Sequence, residues 1–120
     1  MSTVAVLGAG SFGTTLAIHL CKAGHEVRLW GRDSAELARI DSERENRKFL
    51  AGIMLPVGVK VHAELERALE GSGFQLFVVP SQALRSVARE VAATGMRGIP
   101  VCASKGLELV CDMPAGIRIQ

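Results

Sequence analysis

A glycine-rich hexamer near the amino terminus is the first stretch whose residue types and spacing could do chemistry. It reads Gly8-Ala9-Gly10-Ser11-Phe12-Gly13. In such a loop the first glycine permits a tight turn, the second lets a ligand approach the backbone, and the third lets a helix pack closely on a strand. A helix that starts there offers unpaired N–H groups and positive dipole to an anion. The pattern predicts a pyrophosphate-binding loop, with a structural turn that binds nothing as the alternative. The predicted cofactor-binding residues of this loop are Gly8, Gly10, Ser11, Phe12 and Gly13.

Two charged residues, Arg32 and Asp33, follow the next apolar segment, at the position that selects between dinucleotides. An acidic residue there binds the ribose hydroxyls of NAD, whereas an arginine accommodates the 2′-phosphate of NADP. Because Arg32 comes first, and its guanidinium can pair with a phosphate and stack on adenine, the sequence favours NADPH, with NADH as the alternative. Asp33 could bind ribose or cap the next helix. Arg32 could also be a solvated surface charge.

Lys105 and Pro80 each follow a predicted strand, at the sheet edge where open α/β sheets bind ligands. Lys105 could meet a phosphate or a substrate hydroxyl, although a plain surface lysine fits its position equally well. Pro80 could wall a nicotinamide pocket or simply stop the strand. The three histidines share no metal-ligand spacing, so no metal site is expected. We expect packing or surface roles for His19, His25 and His62.

An alternation of strands and helices must position these residues. The apolar periodicity predicts strands at Thr3–Leu7, Glu26–Trp30, Val59–His62, Phe74–Val79 and Ile99–Ala103. It predicts helices at Ser11–Ala23, Ala35–Arg44, Ala63–Leu69 and Ser81–Ala93. Residues 46–57 are expected to form an irregular loop. This order predicts an α/β fold of the Rossmann type, a doubly wound parallel sheet that is cut short after the fifth strand.

The composition fits one compact domain with an aliphatic core. The chain has 120 residues, 48% of them hydrophobic, and a net charge of +2, which gives no sign of a basic nucleic-acid-binding face. No apolar stretch reaches the roughly 20 residues of a membrane span. Three cysteines without metal-ligand spacing indicate free thiols in a reducing cytoplasm. They are Cys21, Cys102 and Cys111.

Several segments in order resemble one family of enzymes. From about Thr3 to Glu108 the chain resembles the N-terminal half of the bacterial NAD(P)-dependent glycerol-3-phosphate dehydrogenases. The glycine loop alone is shared with many dehydrogenases, so the other segments carry the resemblance. They are Leu29-Trp30-Gly31-Arg32, Asn46 to Leu50, Val79-Pro80-Ser81 and Ser104-Lys105-Gly106-Leu107-Glu108.

The resemblance implies a reversible hydride transfer between dihydroxyacetone phosphate and sn-glycerol 3-phosphate, which feeds phospholipid synthesis. It implies cofactor contacts for the positions that match Ser11, Phe12 and Arg32, and contacts with both cofactor and substrate for Lys105. Phe49 would border the cofactor. Some members of the family carry a second basic residue where Asp33 stands, which weakens the case for strong 2′-phosphate selection. A cytoplasmic, homodimeric full-length enzyme is implied.

The carboxyl-terminal stretch departs from the family. A cofactor-binding domain is expected over residues 1–108, followed by a truncated or divergent tail over residues 109–120. The family's catalytic lysine lies in a C-terminal domain, so no catalytic residue is expected in this chain. The chain is therefore predicted to be a fragment that binds nucleotide weakly and turns over little. Two alternatives stay open: the cofactor domain of another hydroxyacid or ketopantoate-type reductase, and a non-catalytic nucleotide-binding module.

Overall fold

A parallel β-sheet forms the centre of the computed structural model, which describes residues 2–103 and 118–119. Its strands are β1 (Thr3–Leu7), β2 (Glu26–Trp30), β3 (Val59–His62), β4 (Phe74–Phe77), β5 (Ile99–Cys102) and β6 (Arg118–Ile119). They are hydrogen-bonded in the order β3-β2-β1-β4-β5-β6, and each neighbouring pair is parallel. The chain thus builds one half of the sheet outward from β1, then crosses over and builds the other half on the opposite side of β1.

Helices follow the strands and cover both faces of the sheet. They are α1 (Ser11–Lys22), α2 (Ser34–Glu43), α3 (Leu65–Leu69) and α4 (Ser81–Thr94). Strand β1 is buried on both faces because its side chains alternate between two cores. Val4 and Val6 pack with Ala17 of α1, whereas Ala5 and Leu7 pack with α3 and α4. The apolar burial on both faces is what holds a parallel sheet together, so the doubly wound fold predicted from the sequence is confirmed.

The crossover next to β1 creates a cleft at the carboxyl ends of the strands. Strands β1 and β4 are neighbours, yet the chain leaves β1 towards α1 and leaves β4 towards α4. The loops after these two strands therefore diverge to opposite faces of the sheet. Ligands of open α/β sheets bind at this kind of switch point.

Strands β1, β2 and β3 have the predicted bounds, and the other predicted elements differ from the observed ones by one or two residues at one or both ends. Strand β4 ends at Phe77 instead of Val79, since the backbone of Val78 turns to lie directly against Gly8. Helix α3 begins at Leu65 instead of Ala63, whose carbonyl accepts a hydrogen bond from the Trp30 indole at 3.2 Å. Strand β5 ends at Cys102, one residue early. Such shifts at element ends arise from local contacts that periodicity does not contain.

The sequence did not predict a sixth strand. Residues 118–119 pair with Val101 and Cys102 and extend the sheet beyond β5. Most of the predicted tail at residues 109–120 lies outside the described residues, so its truncated or divergent character stays a prediction. Among the helices that the structure describes, none is both long and apolar enough to cross a membrane.

Candidate functional site

The glycine loop connects β1 to α1, and at two of its glycines a side chain would collide with neighbouring backbone. Gly8 has a φ of 136°, and a Cβ atom placed on it would lie 2.2 Å from the carbonyl oxygen of Val78. A Cβ on Gly13 would lie 1.9 Å from the carbonyl oxygen of Gly8. Both distances are far shorter than any van der Waals contact, so these two glycines let α1 pack directly on the strand ends.

Gly10 differs from Gly8 and Gly13 because no packing contact within the protein requires a glycine at this position. A Cβ on Gly10 would meet no atom within 4 Å, and its φ of −76° is open to any residue. Gly10 is the N-cap of α1, no side chain caps that helix end, and its first turn contains no acidic residue. The space in front of Gly10 therefore faces a helix N-terminus with a positive dipole, which is the environment that binds phosphate groups.

A cleft of about 310 Å³ opens next to this helix end. Its volume lies at the lower end of the range of small-molecule sites. Six of the predicted cofactor-binding residues line it: Gly8, Gly10, Arg32, Asp33, Phe49 and Pro80. Ser11, Phe12 and Gly13 form the first turn of α1 beside the cleft. Lys105, predicted to contact both cofactor and substrate, lies outside the described residues.

Arg32 extends from the end of β2 across to α4. Its Nη2 donates a hydrogen bond to the Ser86 hydroxyl at 2.8 Å and forms a salt bridge with the Glu90 carboxylate. The Arg32 and Glu90 side chains are 49% and 45% exposed. The guanidinium is therefore neither buried nor free of partners: it lies at the rim of the cleft with an acidic neighbour.

Asp33 is the N-cap of α2. Its side chain accepts a hydrogen bond from the backbone N–H of Glu36 at 3.1 Å. Of the two roles left open by the sequence, the structure shows helix capping. Asp33 also lines the cleft, together with Glu36. The rim next to Arg32 thus carries two carboxylates, of which that of Asp33 caps α2 and that of Glu36 pairs with Arg39.

Asn46 supports the glycine loop from within the protein, a role that the sequence did not reveal. It is fully buried. Its Nδ2 donates to the Ala9 carbonyl at 2.7 Å and to the Thr14 hydroxyl at 2.8 Å, and its Oδ1 accepts from the Phe49 N–H at 3.3 Å. One side chain therefore joins the glycine loop, helix α1 and the loop at residues 46–57. An asparagine in an irregular loop is ordinarily a turn residue, so its burial could not be foreseen.

Lys48 and Phe49 form the wall of the cleft that comes from this loop. The Lys48 ammonium lies 5.3 Å from the centre of the Phe49 ring, within cation–π distance. Phe49 is 48% exposed. Lys48 was missed by the sequence analysis, and it adds a second positive charge to the cleft.

A second, polar groove lies over β2 and β3, away from the glycine loop. It is lined by Glu26, Arg28, Lys60, His62, Arg67 and Glu70. Partial burial, and then the positive charges of Arg28 and Arg67, lower the pKa of His62 below its ordinary value of 6.5, against an opposing effect of Asp41. Within residues 2–103, no group of three or more His, Cys, Asp or Glu residues is arranged to hold a metal ion.

The strand order, the glycine loop and the cleft at the switch point define a dinucleotide-binding domain of the Rossmann type. The family described as NAD-dependent glycerol-3-phosphate dehydrogenase N-terminus matches residues 3–113. The chain belongs to this family, and the family's cofactor is a nicotinamide dinucleotide.

Individual relatives agree with this assignment. The chain is 42% identical over 109 residues to glycerol-3-phosphate dehydrogenase, NAD(P)+, of Geobacillus kaustophilus, covering 90% of this chain and 32% of the relative. It is 45% identical over 106 residues to the enzyme of that name from Thioalkalivibrio sulfidiphilus, covering 88% and 32%. The crystal structure of glycerol-3-phosphate dehydrogenase from Coxiella burnetii matches with a TM-score of 0.86 at 29% identity, over 98% of this chain and 39% of that one. The chain thus spans about a third of the length of its curated relatives.

Proposed function

We propose that this chain is the cofactor-binding part of a glycerol-3-phosphate dehydrogenase and that it binds NADPH in preference to NADH. The observation that carries the dinucleotide site is the contrast among the three motif glycines, whereas the preference for NADPH is supported by Arg32 in the lining of the cleft. Gly8 and Gly13 are required by packing, whereas Gly10 faces open space at an uncapped helix N-terminus. A glycine that no internal contact requires, placed where phosphates bind, is best explained by the close approach of a pyrophosphate.

The described residues fit the parts of such a cofactor. The N–H groups at the start of α1, at Ser11 and Phe12, would hold the pyrophosphate. Arg32 at the end of β2 would face the adenosine and its 2′-phosphate, with Lys48 as a second cation nearby. Pro80, across the cleft at the start of α4, would border the nicotinamide. Bound NADPH would supply the hydride, and the protein's own groups would orient it and exclude water. Lys105 would meet cofactor and substrate.

The substrate is inferred from the family. The named relatives are glycerol-3-phosphate dehydrogenases, so the reaction proposed for the full-length protein is hydride transfer between NAD(P)H and dihydroxyacetone phosphate, in the synthesis of phospholipids. A chimera tests this proposal. Replacing the matching N-terminal segment of the Geobacillus kaustophilus relative with this chain should give a protein that oxidises NADPH when dihydroxyacetone phosphate is added. A chimera that folds and binds NADPH but shows no turnover would argue for a non-catalytic module.

The cofactor preference is tested on this chain directly. Titrations of NADPH and NADH, followed by nicotinamide fluorescence, should show tighter binding of NADPH. Replacing Arg32 with alanine should remove most of the difference, because NADH carries no 2′-phosphate for the guanidinium to bind. Equal affinities in the unaltered protein would contradict the preference and leave the dinucleotide site itself intact.

Two further properties of the full-length protein belong to the proposal. A cytoplasmic location is supported by Cys21 and Cys102, which are both free thiols. A homodimer is expected by analogy with the family, and sedimentation of the full-length protein would test it.

A further inference from the structure

Glu90 is the acidic residue that lies closest to the proposed 2′-phosphate partner. It forms a salt bridge with Arg32, and Ser86, one helical turn earlier, accepts a hydrogen bond from the same guanidinium nitrogen. Ser86 and Glu90 are four residues apart on α4, so they share one face of that helix. Ala83, one turn before Ser86, lines the cleft. The helix face that holds Arg32 is therefore continuous with the cleft wall.

This arrangement places a negative charge beside the guanidinium to which the 2′-phosphate of NADPH would bind. A phosphate that pairs with Arg32 comes within a few ångströms of the Glu90 carboxylate, or it must displace that carboxylate from the guanidinium. Both routes weaken the binding of a dianion. NADH presents only a neutral ribose hydroxyl at this point, so its binding involves no comparable repulsion.

We propose that Glu90 limits the preference for NADPH over NADH by competing with the 2′-phosphate for Arg32. The inference rests on the proposed role of Arg32 as the partner of that phosphate. Glu90 does not touch the cofactor in this account; it acts through Arg32 and through its own charge. The residue pair then sets a moderate cofactor preference.

The test compares the dissociation constants of NADPH and NADH in four forms of the protein: unaltered, E90Q, R32A and the double variant. Glutamine keeps the size of Glu90 and removes its charge. E90Q should tighten NADPH binding about three- to tenfold, the size expected for a partly exposed charge a few ångströms from a dianion. The dissociation constant of NADH should stay the same. In the R32A background the E90Q change should shift the preference less, because the competition for the guanidinium is gone.

A matched control separates this effect from a change of net charge. Glu64 is exposed, pairs with Arg67, and does not line the cleft. E64Q removes the same charge as E90Q, and its NADPH to NADH ratio should equal that of the unaltered protein. Raising the ionic strength should reduce the effect of E90Q, since salt screens exposed charges.

The outcomes distinguish the two proposals. If E90Q leaves the ratio of the NADPH and NADH dissociation constants unchanged, or weakens NADPH binding, the proposed competition is wrong. An effect of R32A on that ratio would still support the proposed role of Arg32. Loss of NADPH affinity in E90Q would mean that Glu90 orients the guanidinium for the phosphate. If R32A itself leaves the ratio unchanged, both the role of Arg32 and the role of Glu90 are wrong.

Discussion

The two ends of the cleft are built in different ways. At the glycine-loop end, backbone packs against backbone, and a fully buried Asn46 ties the loop to α1. At the Arg32 end, half-exposed charged side chains meet across the cleft rim. At the first end, Gly8 and Gly13 tolerate almost no change, because a side chain there would collide with backbone atoms. The second end can change its charge without disturbing the fold. Under the proposed function, the architecture would hold the dinucleotide, whereas the choice between two dinucleotides would depend on residues that single substitutions can alter.

The largest effect is expected from Gly13→Ala at the glycine-loop end. Its new Cβ atom would lie 1.9 Å from the carbonyl oxygen of Gly8, so α1 must move away from the strand. We expect a loss of about 3 kcal/mol or more in the free energy of unfolding, as for severe overpacking in a core. Chemical denaturation followed by circular dichroism measures this loss.

Gly10→Ala is the matched control for that substitution. The same added methyl group meets no protein atom within 4 Å, so the free energy of unfolding should stay within about 0.5 kcal/mol of the original. NADPH and NADH should both bind more weakly, because the methyl group occupies the space proposed for the pyrophosphate. If Gly13→Ala and Gly10→Ala destabilise the protein equally, the inferred difference in packing between the two glycines is wrong.

Asn46→Ala should produce the next largest effect. It leaves the Ala9 carbonyl and the Thr14 hydroxyl without a donor in a buried setting, so we expect a loss of about 2–3 kcal/mol. Thr14→Val removes only one of these bonds while keeping the shape of the side chain, and should cost about 1 kcal/mol. Thermal and denaturant unfolding check both values. A negligible effect of Asn46→Ala would mean that packing alone holds the glycine loop.

The smallest effect concerns His62, on the strand next to the Arg32 end. Because its pKa is lowered in the folded protein, the unfolded chain binds more protons just below the ordinary value of 6.5. Stability therefore falls as the pH drops through that region and is regained above it. His62→Gln should flatten this part of the stability curve, measured by denaturation at a series of pH values. If the two proteins lose stability in parallel as the pH drops, protonation of His62 does not contribute to the pH dependence.

The backbone of the glycine-loop end could be predicted from the sequence, whereas the side-chain contacts at either end could not. The loop follows from local spacing: Gly8, Gly10 and Gly13 stand between a strand pattern and a helix pattern, and the structure gives each a different environment. Local patterns also predicted five of the six strands and all four described helices. The sixth strand is only two residues long and carries no periodicity of its own.

The contacts that were missed join residues far apart in the sequence. Arg32 was predicted to meet a phosphate, but its pairing with Ser86 and Glu90 depends on how β2 is placed relative to α4. Asn46 was part of the family resemblance without a structural role. Its burial against Ala9 and Thr14 depends on the path of an irregular loop. Side-chain partners across a fold follow from tertiary packing, which a single sequence does not show.

The contact between Gly8 and Val78 joins the loops after β1 and β4, so the cleft forms only when these two strands are paired. Two walls of the cleft come from the loops after β1 and β4, which are neighbours in the sheet although β2 and β3 lie between them in the sequence. A ligand held there stabilises the complete domain by mass action and slows amide exchange throughout the central strands. Such protection should extend to β5, which does not touch the cleft.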